Sequence, residues 1–153
     1  MTMEIVSDPL HIVMVMPTYL PETYGGAEQQ GRKFSKELVR RGHKVTILAP
    51  RLHKSTLLKE DMDGVRIIRF SLGALPNLGG PYILSFLKWC FHIISWLWSN
   101  REDYHIIHVF HGRLHAVPAV IASKLVQKPV LIKIGRGGDH FDLSLLTAPY
   151  LRN

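Results

Sequence analysis

Five short runs of the chain are apolar in the way that strands covered on both faces are. They are residues 11–16 (HIVMVM), 44–49 (KVTILA), 65–70 (VRIIRF), 105–110 (HIIHVF) and 129–134 (PVLIKI). Val and Ile dominate them, and two are almost continuously apolar rather than alternating, as parallel strands require. Between the runs the apolar spacing changes to three and four, the period of a helix. Strand–helix alternation predicts an α/β fold, a Rossmann-like doubly wound parallel sheet.

The first helix is expected over residues 27–41, with Ala27, Gly31, Phe34 and Leu38 as its packing stripe. Glu28–Arg32 and Glu37–Arg41 sit four apart on its outer face with the acid first, and Gly42 is placed to cap its end. Residues 82–98 are the most apolar stretch. Their polar members Ser85, Lys88, His92 and Ser95, with Ser99 just beyond, form one narrow helical stripe. Seventeen residues with a central Lys and His fall short of the roughly 20 that a membrane span needs. A core helix is the plain reading, and a face that also touches membrane or a lipid substrate is the sharper one. A third helix is expected over 114–126, with Leu114, Val117, Ile121 and Leu125 as its stripe and Pro118 in its first turn. Residues 51–63, closed by an Asp63–Gly64 turn, and 71–81 read as loops.

Composition narrows the classes. The 153 residues suit one domain, with 46% hydrophobic and 20% charged. Cys90 is the single cysteine, so no internal disulfide forms, which fits a reducing cytoplasm. The first ten residues carry acids where an export signal carries bases. The expected location is therefore cytoplasmic. A formal net charge of +7 points to an anionic partner: a phosphate, a nucleic acid or an acidic membrane face. The bases are spread along the chain and no nucleic-acid recognition motif occurs, so nucleic acid is not expected.

Candidate chemistry begins in the loop 17–26 (PTYLPETYGG), between the first strand and the first helix. Ligands of parallel α/β sheets lie beyond the carboxyl ends of strands. Gly25 and Gly26 stand where helix-start N–H groups and the helix dipole attract anions, and they let backbone approach a phosphate closely. The plain alternative is a tight turn into a helix. Neither G-x-G-x-x-G nor Gly-Lys-Ser/Thr is present, which sets aside a dinucleotide oxidoreductase. His108, His111 and His115 have metal-like spacing but cross from strand to helix, so no metal site is expected. Cys90, inside the most apolar helix, is poorly placed for a nucleophile.

Residues 17–49 resemble the opening of the family 4 glycosyltransferases, which have the GT-B fold. Gly25-Gly26-Ala27-Glu28 is followed by a Leu-bearing helix and by Arg41-Gly42-His43 and Val45, in that family's order. Gly64-Val65-Arg66 with Arg69, residues 103–112 (DYHIIHVFHG) and Lys128-Pro129-Val130 continue the likeness over nearly all of the chain. The resemblance implies a retaining transfer of a sugar from a nucleotide-sugar donor to a lipid, polysaccharide or small-molecule acceptor, with no cofactor. Residues 1–153 would be the N-terminal, acceptor-side half of the GT-B fold, inactive or nearly so alone. A second Rossmann domain with a Glu-x7-Glu motif, not found up to Asn153, would hold the nucleotide.

The same resemblance places Gly25 and Gly26 near the donor phosphates and His111 and Arg113 near the acceptor. Where many members carry His-Gly after the fifth strand, this chain reads IGRGGDH over 134–140. Arg136, Asp139 and His140 are the expected substrate contacts there, the arginine for an anionic oxygen and the aspartate for sugar hydroxyls. No residue announces itself as a base, so the catalytic residue stays unassigned. The basic charge also leaves open a peripheral contact with the inner membrane face. A different class remains open too: a noncatalytic binding or membrane-recruiting subunit that pairs with a separate donor-binding polypeptide.

Overall fold

The computed structural model describes residues 8–73 and 83–134. Six strands form one sheet in the order β3-β4-β2-β1-β5-β6. They are β1 His11–Val15, β2 Lys44–Arg51, β3 Lys59–Met62, β4 Val65–Ser71, β5 Ile106–Phe110 and β6 Val130–Lys133. All neighbours run parallel except β3, which pairs antiparallel with β4. The helices are α1 Gly26–Arg40, α2 Ile83–Ser99 and α3 Val117–Val126, the last entered through a 3-10 turn at Leu114–Ala116. The expected α/β Rossmann-like architecture is therefore present.

The period of two along the central strands divides the core into two layers. Val13, Val15, Leu48, Ile107 and Val109 face α2 and α3, joined by Trp89, Ile93 and Leu97 of α2. Ile12, Met14, Val45, Ile47 and Ile67 face the other way, toward α1. Every residue of β1 is buried. Two buried aromatic polar groups are satisfied: Trp89 Nε1 donates to the His115 carbonyl at 3.2 Å and the Tyr104 hydroxyl to the Leu97 carbonyl at 3.1 Å.

α1 ends as its sequence demands. Gly42 has φ +88, and the Gly42 and His43 N–H groups donate to Val39 and Leu38 carbonyls at 2.9 and 3.0 Å, a Schellman closure. Of the expected stripe, Gly31 is buried and Leu38 packs against the core, while Phe34 departs from it. Glu28, Gly31 and Ser35 are buried while Phe34 stays 41% exposed, and Met16 lies where a side chain on Gly31 would stand. Glu37–Arg41 pairs at 2.8 Å as expected, whereas Arg32 turns instead to Asp63 at 2.8 Å.

Two expectations are corrected. Part of the 51–63 loop is strand β3, whose sequence KEDM has no apolar alternation because it is a charged edge strand. Asp63 (φ 54) and Gly64 (φ 79) make the two-residue hairpin turn between β3 and β4. The stripe expected to pack α3 against the sheet points outward instead: Leu114, Val117, Ile121 and Leu125 are 39%, 38%, 45% and 55% exposed. The small face Ala119, Ala122 and Ser123 is the buried one. On α2, Ser85 is buried and donates to the Leu72 carbonyl, while Ile83, Leu84, Leu87, Phe91 and Trp98 are exposed.

Candidate active site at the carboxyl edge

Topology decides where a ligand lies. The chain steps from β1 through β2 to β4 on one side, then returns through α2 to β5 on the other side of β1. Connections after β1 and after β5 leave the sheet in opposite directions, which opens a crevice beyond their carboxyl ends. Loop 17–25 and residues 111–113 border it. Gly25, Gly26, His111 and Arg113 therefore share one edge of the sheet. Arg136, Asp139 and His140 lie outside the described residues.

The loop is held from below by Glu28, which the sequence reading had placed on the outer face. Glu28 is buried, and its carboxylate accepts from the Thr18 hydroxyl, the Thr23 hydroxyl at 2.9 Å and the Gly25 N–H at 3.0 Å. Burial by itself raises this carboxyl, but the hydrogen bonds outweigh it and hold the group below the usual carboxylate value. A carboxylate so tied is a positioning group and a poor proton carrier near neutrality. A Cβ on Gly25 would stand 2.6 Å from Glu28 Oε2, whereas one on Gly26 would meet nothing within 4 Å. Gly25 is needed for the pinning, and Gly26 leaves open space at the start of α1.

A second buried ionic cluster ties this loop to its neighbours. Arg69, 2% exposed, donates to the Leu57 carbonyl at 3.0 Å, the Leu20 carbonyl at 2.5 Å and Glu60 Oε1 at 2.5 Å. Its Nε lies 3.9 Å from Glu22 Oε2. Glu22 Oε1 in turn accepts from the Leu52 and His53 N–H groups at 2.9 and 2.8 Å. Loops 17–25 and 52–58 are thus clamped through one guanidinium. Glu22, Glu28 and Arg69 were not among the sequence candidates for the site. The signal for Glu28 was a Glu three residues into a helix, the reciprocal half of a capping box. The signal for Arg69 was a charge inside an apolar strand run, which demands a buried partner.

On the other wall, His111 adopts φ 67 and its N–H donates to the Lys133 carbonyl at 2.9 Å. His115 Nε2 lies 2.7 Å from the Phe110 carbonyl oxygen, while the buried His108 ring packs edge-on to Phe34 at 5.3 Å. Burial, with help from the Lys133 charge, lowers the His108 pKa. The three histidines serve three separate surroundings, and no group able to hold a metal occurs among the described residues. Burial also pushes the Cys90 thiol up, away from nucleophilic character. A cavity of about 430 Å³ lies at the opposite, amino edge, among His11, Lys44, Arg66 and Asp103. Open α/β sheets bind ligands at the carboxyl edge, so this cavity is not assigned to the chemistry.

The family model for the glycosyl transferase 4-like domain matches residues 25–148. The chain belongs to this glycosyltransferase family. The match opens at Gly25, the N-cap of α1, and takes in residues 111–113 of the other wall. No curated protein matches this glycosyltransferase domain in sequence. Among solved structures it is similar to sucrose-phosphate synthase from Thermosynechococcus elongatus: TM-score 0.59, 15% identity, 80% of this chain and 32% of that one. It is also similar to the catalytic domain of starch synthase IV from Arabidopsis thaliana, solved with ADP and acarbose: TM-score 0.57, 16% identity, 81% of this chain and 33% of that one. The chain thus spans about a third of each synthase. The C-terminal domain of a Pyrococcus furiosus hydrogenase is as similar in shape: TM-score 0.57, 15% identity, 81% of this chain and 90% of that one. Likeness at this identity speaks of fold alone, since one fold hosts many chemistries.

Proposed function

We propose that the chain is the acceptor-side, N-terminal domain of a two-domain GT-B glycosyltransferase. It would move a sugar with retention from a nucleotide-sugar to a lipid, polysaccharide or small-molecule acceptor. The observation that carries the reading is the glycine loop: Glu28 pins Gly25 from beneath, and Gly26 opens at the start of α1 beside the crevice. N–H groups at a helix start suit donor phosphates without any cofactor. His111 and Arg113 border the same crevice from the acceptor side, and catalysis would rest on positioning rather than on a resident base. Without a donor-binding domain the chain is inactive.

The outward apolar stripes of α2 and α3, with Lys88, Lys124 and Arg101 beside them, favour a peripheral contact with an anionic membrane. No helix among the described residues is long and apolar enough to cross a membrane. The same stripes equally suit cover by another polypeptide, which keeps the noncatalytic-subunit reading as the second one.

The test is the native polypeptide: its coding sequence, its mass and its transfer of label from a panel of nucleotide-sugars to lipid and saccharide acceptors. The expected result is a longer chain, by roughly 150–200 residues, whose kcat/KM falls when Gly26 is changed to Val or Arg113 to Ala. A native 17.4 kDa chain that copurifies with a donor-binding polypeptide supports the subunit reading. A chain that neither transfers nor assembles refutes both.

A further inference from the structure

Beyond the carboxyl ends of β2 and β4, one loop away from the glycine loop, lies a cleft of about 180 Å³. Its wall includes Arg51, His53, Lys54, Ser71 and Gly73, three basic side chains and a hydroxyl with no acid. Arg51 and Ser71 are register partners at the very ends of their strands. Lys88 of α2 adds a fourth base, its Nζ 4.0 Å from where a Cβ on Gly73 would stand.

Exposed lysines alone would be a solvated face. Two further observations mark this place as built. The Arg51 Nε is buried and has no hydrogen-bond partner among the described residues, although Arg51 also donates to the Lys54 carbonyl. A buried donor of this kind costs stability unless a ligand meets it. Glu22 spends Oε1 on the Leu52 and His53 N–H groups, and its buried Oε2 lies 3.9 Å from Arg69 Nε without a hydrogen-bond partner among the described residues. The loop backbone is fixed while its cations are left facing the cleft.

We propose that this cleft is an anion subsite for the acceptor, which carries a phosphate or carboxylate group. The inference rests on the transferase reading for the word acceptor and on the cleft for the anion. The volume suits a phosphoryl group rather than a whole nucleotide, for which pockets of about 300 Å³ or more are usual. A guanidinium, an ammonium and a hydroxyl are the donors that such oxygens take. The cleft and the crevice lie at the same carboxyl edge of the sheet, so one acceptor would have its anion here and its reacting end toward the crevice. The exposed Leu84 and Leu87 start the apolar stripe of α2 at the same edge, one turn or less from Lys88. A hydrocarbon tail on the acceptor would run along that stripe.

Inorganic phosphate and glycerol phosphate, titrated into the isotope-labelled chain at low salt, test this by amide chemical shift. Saturable shifts are expected at residues 51–54 and 71–73. Arg51→Gln and the exposed Lys54→Ala should each weaken binding by at least ~10-fold, while Lys36→Ala on α1 leaves it unchanged. Far-ultraviolet circular dichroism checks that each variant is folded. Vesicles of phosphatidylcholine with phosphatidate then separate the sources. Recruitment lost in both Arg51→Gln and Leu87→Ser identifies a lipid anion, and phosphate binding without recruitment identifies a soluble one; either result upholds the subsite. Shifts that map elsewhere, or variants that bind as the wild type does, overturn it. Phosphate binding is read without sugar transfer, so a failed transfer assay and a failed titration refute different claims.

Discussion

Replacing Glu28 by Gln asks whether a buried carboxylate holds the glycine loop. The wild-type group accepts three hydrogen bonds from Thr18, Thr23 and the Gly25 N–H. The amide keeps one acceptor oxygen; with that oxygen on the Gly25 N–H, its NH2 faces the two threonine hydroxyls, which must turn round to accept. Hydrogen bonds to a charged group contribute about 1.5–3 kcal/mol each, and burial of the charge has a cost of several kcal/mol that the amide avoids. Thr18 and Thr23 are only partly buried and regain water. What remains is about 1 kcal/mol for the lost cap and about 1 kcal/mol for the mismatched amide, some 2 kcal/mol together. At this chain length that lowers Tm by roughly 4–8 °C.

The pH dependence makes the test specific. The folded-state pKa of Glu28 is depressed below the ordinary 4.5. Its stabilisation is therefore complete above the unfolded value and is lost as pH falls through the folded one. Urea unfolding followed by circular dichroism at pH 7 should separate wild type from Glu28→Gln by the full amount, and the gap should close as pH falls below 4.5 and through the lower folded-state value. A difference under about 0.5 kcal/mol at pH 7, or one that never narrows down to the acid-unfolding limit, would show that the loop is held by something else.

Three other perturbations follow from the same geometry. Arg69→Ala leaves Glu22 and Glu60 without their buried cation and should cost about 3–5 kcal/mol in urea unfolding; a loss below about 1 kcal/mol contradicts the clamp. Gly64→Ala sets a side chain at φ 79 and 3.1 Å from Val39 Cγ1, for about 1–2 kcal/mol, and an unchanged midpoint would remove the hairpin-turn argument. His108 has a folded pKa below 6.5 because of burial and then Lys133, so it takes stability away as pH falls through 6.5 toward that lower value. His108→Phe should narrow the stability difference between pH 8 and pH 5, and an equal difference in both proteins refutes the assignment.

Residues that repeat a pattern were legible, and residues that act singly were not. β1, β2, β4, β5 and β6 stood out because Val and Ile dominate their runs, although none of the residues of the edge strand β6 is buried. The end of α1 stood out because Gly42 must take φ +88. β3 did not, since a charged edge strand has no apolar period, although Asp63-Gly64 signals a hairpin by its own chemistry. The glycine loop was legible as a loop between strand and helix, but not as a loop pinned by Glu28. A Glu four residues before Arg32 reads as a surface pair until Asp63, thirty-one residues from Arg32, takes that arginine.

α3 shows the limit of periodicity most directly. Leu114, Val117, Ile121 and Leu125 lie on one face, and the period says nothing about which way that face turns. Ala119, Ala122 and Ser123 allow close approach to the sheet, so the small side packs and the large side is left outside. With Ile83, Leu84, Leu87, Phe91 and Trp98 of α2, and Trp98 and Leu125 bordering one depression, the outward residues make a connected surface. Leaving a large apolar side chain half exposed forgoes about 1 kcal/mol of burial. Over nine such residues that is about 9 kcal/mol, comparable with the whole stability of a domain. Exposed apolar surface on that scale is typical of interaction sites. The α2 end of this surface lies beside Lys88, whose Nζ approaches Gly73 of the proposed anion cleft, so the two features share one edge of the sheet.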